Sequence, residues 1–290
     1  MQGQASLTAK GAATHRAVHQ LLEKGAIFRD PLAVTILGED PDAIVKEATE
    51  NPERRFMRMF VAGRSRYAED RIAEAAARGL RQAVVLGAGL DTFGLRNPYR
   101  GSGLRVFEVD HPKTQEWKRA RIGAAGLDAA AVAFASVDFE RQNFLDELAK
   151  VGFDRSAPAF FLWLGVVPYL TREAILATLA TLARAPTEVV FDYAEPVESF
   201  QGPRRAYIEQ FRARVAALGE PVLSAFRPAE MARLLHEAGF ERFADLGPRE
   251  LALYLGRVSP PAPDTPGGHV VHATSGAGSR DFQKKNQRLA

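Results

Sequence analysis

A chain of 290 residues with 46% hydrophobic content is long enough to bury a sizeable core, either as one large domain or as a domain with a cap. The formal net charge is +3, from 38 basic and 35 acidic residues, and residues 280–290 alone carry +3 because they hold four basic residues and one acidic residue. The rest of the chain is therefore neutral, which does not favour nucleic-acid binding, and the absence of cysteine excludes disulfide bonds, thiolate metal sites and cysteine nucleophiles. No apolar run approaches the roughly 18 residues of a membrane span and the N-terminus lacks a signal-peptide pattern, so we expect a cytoplasmic protein without a membrane segment.

Residues 1–75 have helical patterns, and we interpret them as a helical cap. Apolar residues at helical spacing predict helices over residues 6–24 and 51–79. Between them, Asp30 followed by proline is typical of a helix start, and this shorter helix is expected to end before Gly38.

Two pairs of residues in the predicted cap are candidates for a chemical role. His15 and His19 share a helical face, but Arg16 stands where a two-histidine zinc motif has glutamate, so no metal site is expected and a solvated or capping role is favoured. Arg64 and Arg66 precede the first predicted strand, where a helix edge can offer a cation to the carboxylate of a ligand. Helix-surface charge is an equally good interpretation of these two arginines.

The strongest local signal is an apolar run over residues 83–86 that stops at Gly87-Ala88-Gly89. A run of this length predicts a strand buried on both faces, as in a parallel sheet. Two glycines one residue apart let the backbone turn sharply and approach a ligand without a Cβ in the way. We therefore interpret residues 87–92 as the ligand loop of a nucleotide-type site.

The residues after this loop indicate which nucleotide it binds. A dinucleotide fingerprint has a third glycine at position 92, but the chain has Thr92 there. A second apolar run, residues 104–109, is followed by Asp110, and an acidic residue at the end of the second strand suits the two hydroxyls of a ribose. S-adenosylmethionine, which carries an adenosyl group without a diphosphate, fits this pattern better than NAD.

Strands and helices then alternate, which predicts an α/β fold with a doubly wound parallel sheet. Asp138 follows the third predicted strand, and Leu164 ends the fourth and most apolar one, directly before Gly165. The predicted strands cover residues 131–137, 159–164 and 189–193, and the predicted helices cover residues 111–125, 140–151 and 171–183.

The alternation breaks after the fifth strand. Residues 196–228 contain a basic helix that we interpret as a lid inserted into an α/β domain of residues 76–258. Residues 241–246 and 251–258 are expected to form a terminal antiparallel hairpin, because a short turn separates them. From residue 259 onward the composition is rich in proline, glycine and serine and predicts a disordered tail, residues 259–290.

With these elements in place, the chain resembles the leucine carboxyl methyltransferase family, and within it the bacterial polyketide O-methyltransferases. The resemblance implies a Rossmann-like seven-strand sheet, the cofactor S-adenosyl-L-methionine and a small-molecule acceptor. The matching stretches are Thr8–Ala9, Arg16–Ala17, Phe28–Ala33, Arg64–Asp70, Leu86–Thr92, Phe107–Pro112, Val137–Phe139 and Val166–Thr171.

By this resemblance, Gly87 and Gly89 flank the methionine part of the cofactor and Asp110 holds the ribose hydroxyls. Asp138 accepts a hydrogen bond from the adenine amino group, and Arg64 meets the cofactor carboxylate.

The chain departs from the family at two positions. Leu164 precedes Gly165 and Val166 where the family has glutamate, and Phe93 replaces an arginine. The loss of the carboxylate at position 164 puts cofactor affinity or the handling of the acceptor in question.

The predicted activity is methyl transfer to a carboxylate or hydroxyl of a small molecule such as a polyketide or another secondary metabolite. A carboxylate is ionised at neutral pH and needs no base, whereas a phenol does. No residue stands out as a catalytic base, since a capping role is favoured for His111 and a structural role for His236. The alternatives are an NAD-dependent oxidoreductase and a non-catalytic binding protein that keeps the sheet.

Overall fold

The computed structural model describes residues 6–138 and 142–276. The chain divides into two compact units, and the boundary along the chain falls between Asp154 and Arg155. The strands belong to one mixed seven-stranded sheet, to which the first unit contributes the order β3-β2-β1 and the second the order β4-β5-β7-β6. This confirms the α/β fold class with a seven-stranded Rossmann-like sheet. The basic segment of residues 280–290 lies outside the described residues.

The first unit consists of α1 (Leu7–Leu22), α2 (Ala33–Leu37), α3 (Pro41–Glu50), α4 (Arg55–Ala77), β1 (Gln82–Leu86), α5 (Phe93–Arg96), β2 (Arg105–Asp110), α6 (Pro112–Ala124), β3 (Val132–Ser136) and α7 (Phe144–Lys150). The second unit consists of β4 (Ala159–Trp163), α8 (Arg172–Ala183), β5 (Thr187–Ala194), α9 (Gly202–Ala217), α10 (Pro228–Ala238), β6 (Arg242–Leu246), α11 (Pro248–Tyr254) and β7 (Gly268–Thr274). Among the described residues, no helix has the length and apolar character needed to cross a membrane.

The central strands agree with the sequence prediction. In the first unit β1 pairs in parallel with β2, and β2 pairs in parallel with β3. All five residues of β1 are buried, as expected for a strand covered on both faces. In the second unit β4 and β5 are also parallel. The carboxyl ends of these strands are the edge where sites form in this architecture.

The end of the predicted fold needs two corrections. Residues 251–258 do not form a strand, because Pro248 and Glu250 start helix α11, which buries Leu251 and Ala252 on one side. The seventh strand is β7, inside the segment predicted to be a disordered tail, and it lies antiparallel between β5 and β6. β6 does pair antiparallel with a later strand, but that strand is β7 and not residues 251–258, and a helix and a long connection replace the tight turn.

The N-terminal helices are confirmed in position, and one was missed. The missed helix, α3, begins with Pro41 in its first turn and Asp40 as the N-cap, whose carboxylate accepts a hydrogen bond from the Asp42 N–H group at 3.2 Å.

The solvated or capping role favoured for His19 was wrong. Its side chain is fully buried, and its Nε2 accepts hydrogen bonds from the Ile27 and Phe28 N–H groups at 3.2 and 3.3 Å.

Residues 6–75 and 196–228 are largely helical, as predicted, but they belong to different compact units. Their joint role as a cap, with residues 196–228 as its lid, stays a prediction.

Candidate cofactor site

The ligand loop leaves β1 in a conformation that requires glycine. Gly87 and Gly89 have φ values of +68° and +46°, in the left-handed region that disfavours residues with a Cβ. A Cβ on Gly89 would also lie 2.8 Å from the Cβ of Ala9 in helix α1. The start of the loop is tied to β2, because the N–H groups of Gly87 and Ala88 both donate to the Val109 carbonyl, at 2.8 and 3.1 Å.

Asp110, the last residue of β2, lies directly beside this loop. Its Oδ2 accepts a hydrogen bond from the Gly89 N–H group at 2.5 Å, and its Oδ1 accepts one from the His111 N–H group at 2.7 Å. Burial raises the pKa of Asp110 above its ordinary value, while these two N–H donors lower it. Each carboxylate oxygen can accept a second hydrogen bond, so the carboxylate is chemically suited to a ribose diol.

Asp138 is brought to the same edge of the sheet. The N–H group of the preceding residue, Val137, donates to the Asp110 carbonyl at 2.8 Å, and the Asp138 N–H group donates to the Gln142 side chain at 2.8 Å. Asp138 is partly exposed, and its backbone follows directly on a residue bonded to Asp110. Its role toward an adenine stays a prediction.

The two candidate arginines differ in environment. Arg64 is buried in α4, with its guanidinium carbon 5.8 Å from the centre of the Phe60 ring. Arg66 is exposed and pairs with Asp70 at 2.6 Å, one helical turn further on. Arg66 is sufficiently explained as a surface cation that pairs with an acidic residue of its own helix. Arg64 is buried, and it is therefore the better candidate to bind a ligand carboxylate.

In the second unit, β4 ends at Trp163, so Leu164 is the first residue after the strand instead of its last residue as predicted, and it is half-buried. Gly165 follows with a φ of +75°, and its N–H group donates to Asp192 Oδ1 of β5 at 2.6 Å. This bond fixes the turn that carries Leu164. Contact of Leu164 with the cofactor stays a prediction.

Sequence reasoning missed a buried network behind the ligand loop. It consists of Arg16, Asp30, Thr92, Arg96 and Glu69, which come from α1, the turn before α2, the loop, α5 and α4. Burial raises the pKa of Glu69 to about 7, although the hydrogen bonds from Arg96 lower it. The one available signal was that several of these positions lie in stretches shared with the family.

A second polar cluster lies at the ends of β5 and β6 and the start of β7. The Tyr193 hydroxyl donates to Asp245 Oδ2 at 2.6 Å, and His269 Nδ1 lies 2.9 Å from Asp245 Oδ1. His269 Nε2 lies 3.3 Å from Glu195 Oε1. Burial alone would lower the pKa of His269, but hydrogen bonds and charge from Asp245 and Glu195 raise it above its ordinary value.

The two histidines considered as possible bases both lie at helix ends. His111 caps helix α6, with its Nδ1 accepting a hydrogen bond from the Lys113 N–H group at 3.3 Å. His236 is in the last turn of α10, and its ring packs edge-on against Phe243 with 5.3 Å between ring centroids. Within the part of the chain that the structure describes, no group of three or more metal-ligating side chains could hold a metal ion.

Comparison with known proteins identifies the relatives of this chain. Residues 9–183 match the family model described as leucine carboxyl methyltransferase. The chain is 28% identical over 277 residues to YktD of Bacillus subtilis, a candidate S-adenosyl-L-methionine-dependent methyltransferase, and the match covers 86% of this chain and 91% of that protein. A candidate methyltransferase of the same description from Mycolicibacterium smegmatis is 30% identical over 226 residues, which cover 73% of this chain and 69% of that protein.

The fold has neighbours among solved structures at low sequence identity. The crystal structure of a candidate O-methyltransferase from Nostoc punctiforme is 14% identical, with a TM-score of 0.46, and covers 91% of this chain and 72% of that chain.

Proposed function

The chain belongs to the leucine carboxyl methyltransferase family of S-adenosylmethionine-dependent methyltransferases, and on this premise we propose that it methylates a carboxylate or hydroxyl oxygen of a small molecule. A polyketide or another secondary metabolite is the proposed acceptor class. The observation that carries the proposal is the Asp110 carboxylate, held 2.5 Å from the Gly89 N–H group at the turn that follows β1.

The proposed cofactor site uses residues around this turn. Asp110 binds the ribose hydroxyls, and Gly87 and Gly89 let the loop backbone approach the methionine moiety without steric hindrance. Asp138 accepts from the adenine amino group and the Arg64 guanidinium pairs with the cofactor carboxylate. Leu164 forms an apolar wall where the family has a carboxylate.

The bound cofactor supplies an electrophilic methyl group on a sulfonium. The protein then has to align an acceptor oxygen with that methyl group and exclude water. A carboxylate acceptor is ionised at neutral pH and needs no base, which agrees with the family description. A hydroxyl acceptor would need a base, and His111 Nδ1 is already engaged as the cap of helix α6, where it accepts a hydrogen bond from the Lys113 N–H group.

The test measures binding first and turnover second. S-adenosylhomocysteine should bind in titration calorimetry and should raise the melting temperature of the protein in thermal unfolding, whereas NADH should do neither. Incubation with a methyl-labelled donor and panels of carboxylic acids and phenols should then transfer label to an acceptor oxygen. Binding of NADH instead of S-adenosylhomocysteine would contradict the proposed site, and binding without transfer to any acceptor would favour a non-catalytic role.

A further inference from the structure

The ligand loop is hydrogen-bonded to buried polar side chains. Thr92 and Asp30 are fully buried, and Arg16 is 6% exposed. The Thr92 hydroxyl donates to Asp30 Oδ1 at 2.7 Å, so the last residue of the loop is anchored to the turn before α2. Thr92 stands where a dinucleotide fingerprint has its third glycine, and its hydroxyl anchors the loop to Asp30.

Arg16 of helix α1 bonds to the loop and to its anchor at once. Its Nη2 donates to the Leu90 carbonyl at 2.6 Å, and its Nε donates to Asp30 Oδ2 at 3.2 Å. A planar guanidinium makes these two bonds from two nitrogens held at a fixed separation, whereas a lysine ammonium would have to make both from one nitrogen. Helix α1 is therefore attached to the main chain of the ligand loop, next to the residue whose N–H group meets Asp110.

A second arginine, Arg96 of α5, connects the network to Glu69 of α4. Arg96 Nε donates to the Thr92 hydroxyl oxygen at 2.9 Å and lies 3.3 Å from Asp30 Oδ1. Its Nη2 and Nη1 donate to the two Glu69 carboxylate oxygens at 2.5 and 3.2 Å. The Thr92 hydroxyl thus donates to one charged partner and accepts from another, which fixes its rotamer and the path of the loop backbone.

From this arrangement we propose that Arg16, Asp30 and Thr92 are positioning residues for cofactor binding. They hold the ligand loop in the conformation that places the Gly89 N–H group on Asp110, without touching the cofactor themselves. The inference rests on the proposed location of the cofactor at this loop. It deepens that proposal, because it assigns the N-terminal helix a part in cofactor affinity.

The experiment compares isosteric and conservative variants. Thr92→Val keeps the shape of the side chain and removes both hydrogen bonds, so S-adenosylhomocysteine should bind about tenfold more weakly. Thr92→Ser keeps the hydroxyl and should restore affinity to within about twofold of wild type. Arg16→Lys keeps the positive charge but loses the guanidinium, which donates from two nitrogens at once, and it should weaken binding by about tenfold.

A matched control separates positioning from general stability. Arg58 in α4 is buried and makes a bidentate contact with Glu23 next to α1, with N–O distances of 3.0 and 2.8 Å, and within the described residues no hydrogen bond or ion pair joins it to the ligand loop. Arg58→Lys should lower the melting temperature as Arg16→Lys does and leave affinity within about twofold of wild type, since distant sites act independently. All affinities are measured by calorimetry well below each melting temperature.

Hydrogen exchange of the cofactor-free protein supplies a second readout. Amides of residues 87–92 should exchange faster in Thr92→Val and Arg16→Lys than in wild type, with no such change in Arg58→Lys.

If wild type binds S-adenosylhomocysteine but Thr92→Val binds it equally well, the positioning role is rejected and the proposed function stands. If wild type does not bind it, the proposed cofactor site itself is wrong. Equal losses in Arg58→Lys and Arg16→Lys would show that the effect is one of stability alone.

Discussion

At the scale of single residues, the Asp110 carboxylate has two tasks. It accepts the Gly89 and His111 N–H groups in the cofactor-free protein, and it is proposed to accept two ribose hydroxyls in addition. Asp110→Ala removes the charged acceptor from both tasks. Because a hydrogen bond to a charged group contributes about 1.5–3 kcal/mol, the loss of two such bonds should weaken S-adenosylhomocysteine binding by at least about 100-fold.

The control measurement for Asp110→Ala is whether the variant keeps the fold. Far-UV circular dichroism should stay unchanged, because the β2 backbone pairs with β1 and β3 independently of this side chain. Calorimetric affinity equal to that of wild type would remove Asp110 from the site.

Leu164 gives a second prediction at this scale. Because it is half-buried at a strand end, a carboxylate placed there can reach solvent or a ligand, and Leu164→Glu should bind S-adenosylhomocysteine more tightly with little loss of stability. Leu170→Glu is the matched control, since Leu170 is also half-buried but lies beyond the 3₁₀ turn of Val167–Tyr169. A large fall in melting temperature without a gain in affinity would show that Leu164 belongs to the core.

Residues of the site differ in how well the sequence predicts them. Gly87, Gly89 and Asp110 could be found because a tight turn and a strand end leave local signatures in residue type and spacing. Arg16 and Asp30 could not, because their role depends on contacts with Leu90 and Thr92, more than 60 positions away in the chain. Spacing along a single helix carries no information about such partners.

At the scale of elements, the errors fall where composition and local pattern disagree with tertiary context. The run Leu-Ala-Leu-Tyr-Leu at 251–255 suits a strand or a helix, and Pro248 at the first helical position was the signal that should have decided it. Strand β7 lies between proline- and glycine-rich flanks that lower the hydrophobicity of the segment, yet Val270, Val271 and Ala273 are fully buried. Its pairing with β5 and β6 supplies the stability that composition did not indicate.

The cluster that joins β5, β6 and β7 predicts a pH dependence of stability. His269 faces Asp245 from β6 and Glu195 after β5, stacks on Tyr193, and has a pKa raised by the two carboxylates despite its burial. A raised pKa means that the native state binds more protons than the unfolded state above the ordinary histidine pKa. The stabilisation by His269 is therefore complete below about pH 6 and is lost as the pH rises through its native pKa.

The measurement compares wild type with His269→Asn by urea unfolding between about pH 5.5 and 8.5. The difference in the free energy of unfolding should shrink as the pH rises. His236→Asn, at an exposed helix end, controls for the loss of a histidine elsewhere. A difference that grows with pH would contradict the assigned direction.

At the scale of the whole molecule, the fold could be predicted because alternating strands and helices are a local property repeated along the chain. Each predicted strand from β1 to β6 lies within a few residues of its observed position. The division into two compact units was not predicted, because it depends on the density of long-range contacts. The helical cap proposed from residues 1–75 and 196–228 likewise depends on an arrangement that no local pattern determines.

Truncation at the C-terminal end tests which part of the chain completes the fold. Strand β7 pairs with seven residues of β5 and five of β6, so it lies inside the sheet of the second unit. A chain that ends at Val258 loses this strand, and the burial of each valine alone contributes about 1.5–3 kcal/mol to a total stability of about 5–15 kcal/mol. It also leaves the facing backbone groups of β5 and β6 without their strand partner.

A chain that ends at Gly276 is the matched control, because it keeps every described helix and strand. We expect it to unfold cooperatively at the melting temperature of the full chain, whereas the chain that ends at Val258 should lack a cooperative thermal transition in circular dichroism. An unchanged melting temperature for the shorter chain would mean that β7 adds nothing to the stability of the sheet. Because β7 separates β5 from β6, that outcome would require those two strands to be held by the helices of the second unit alone.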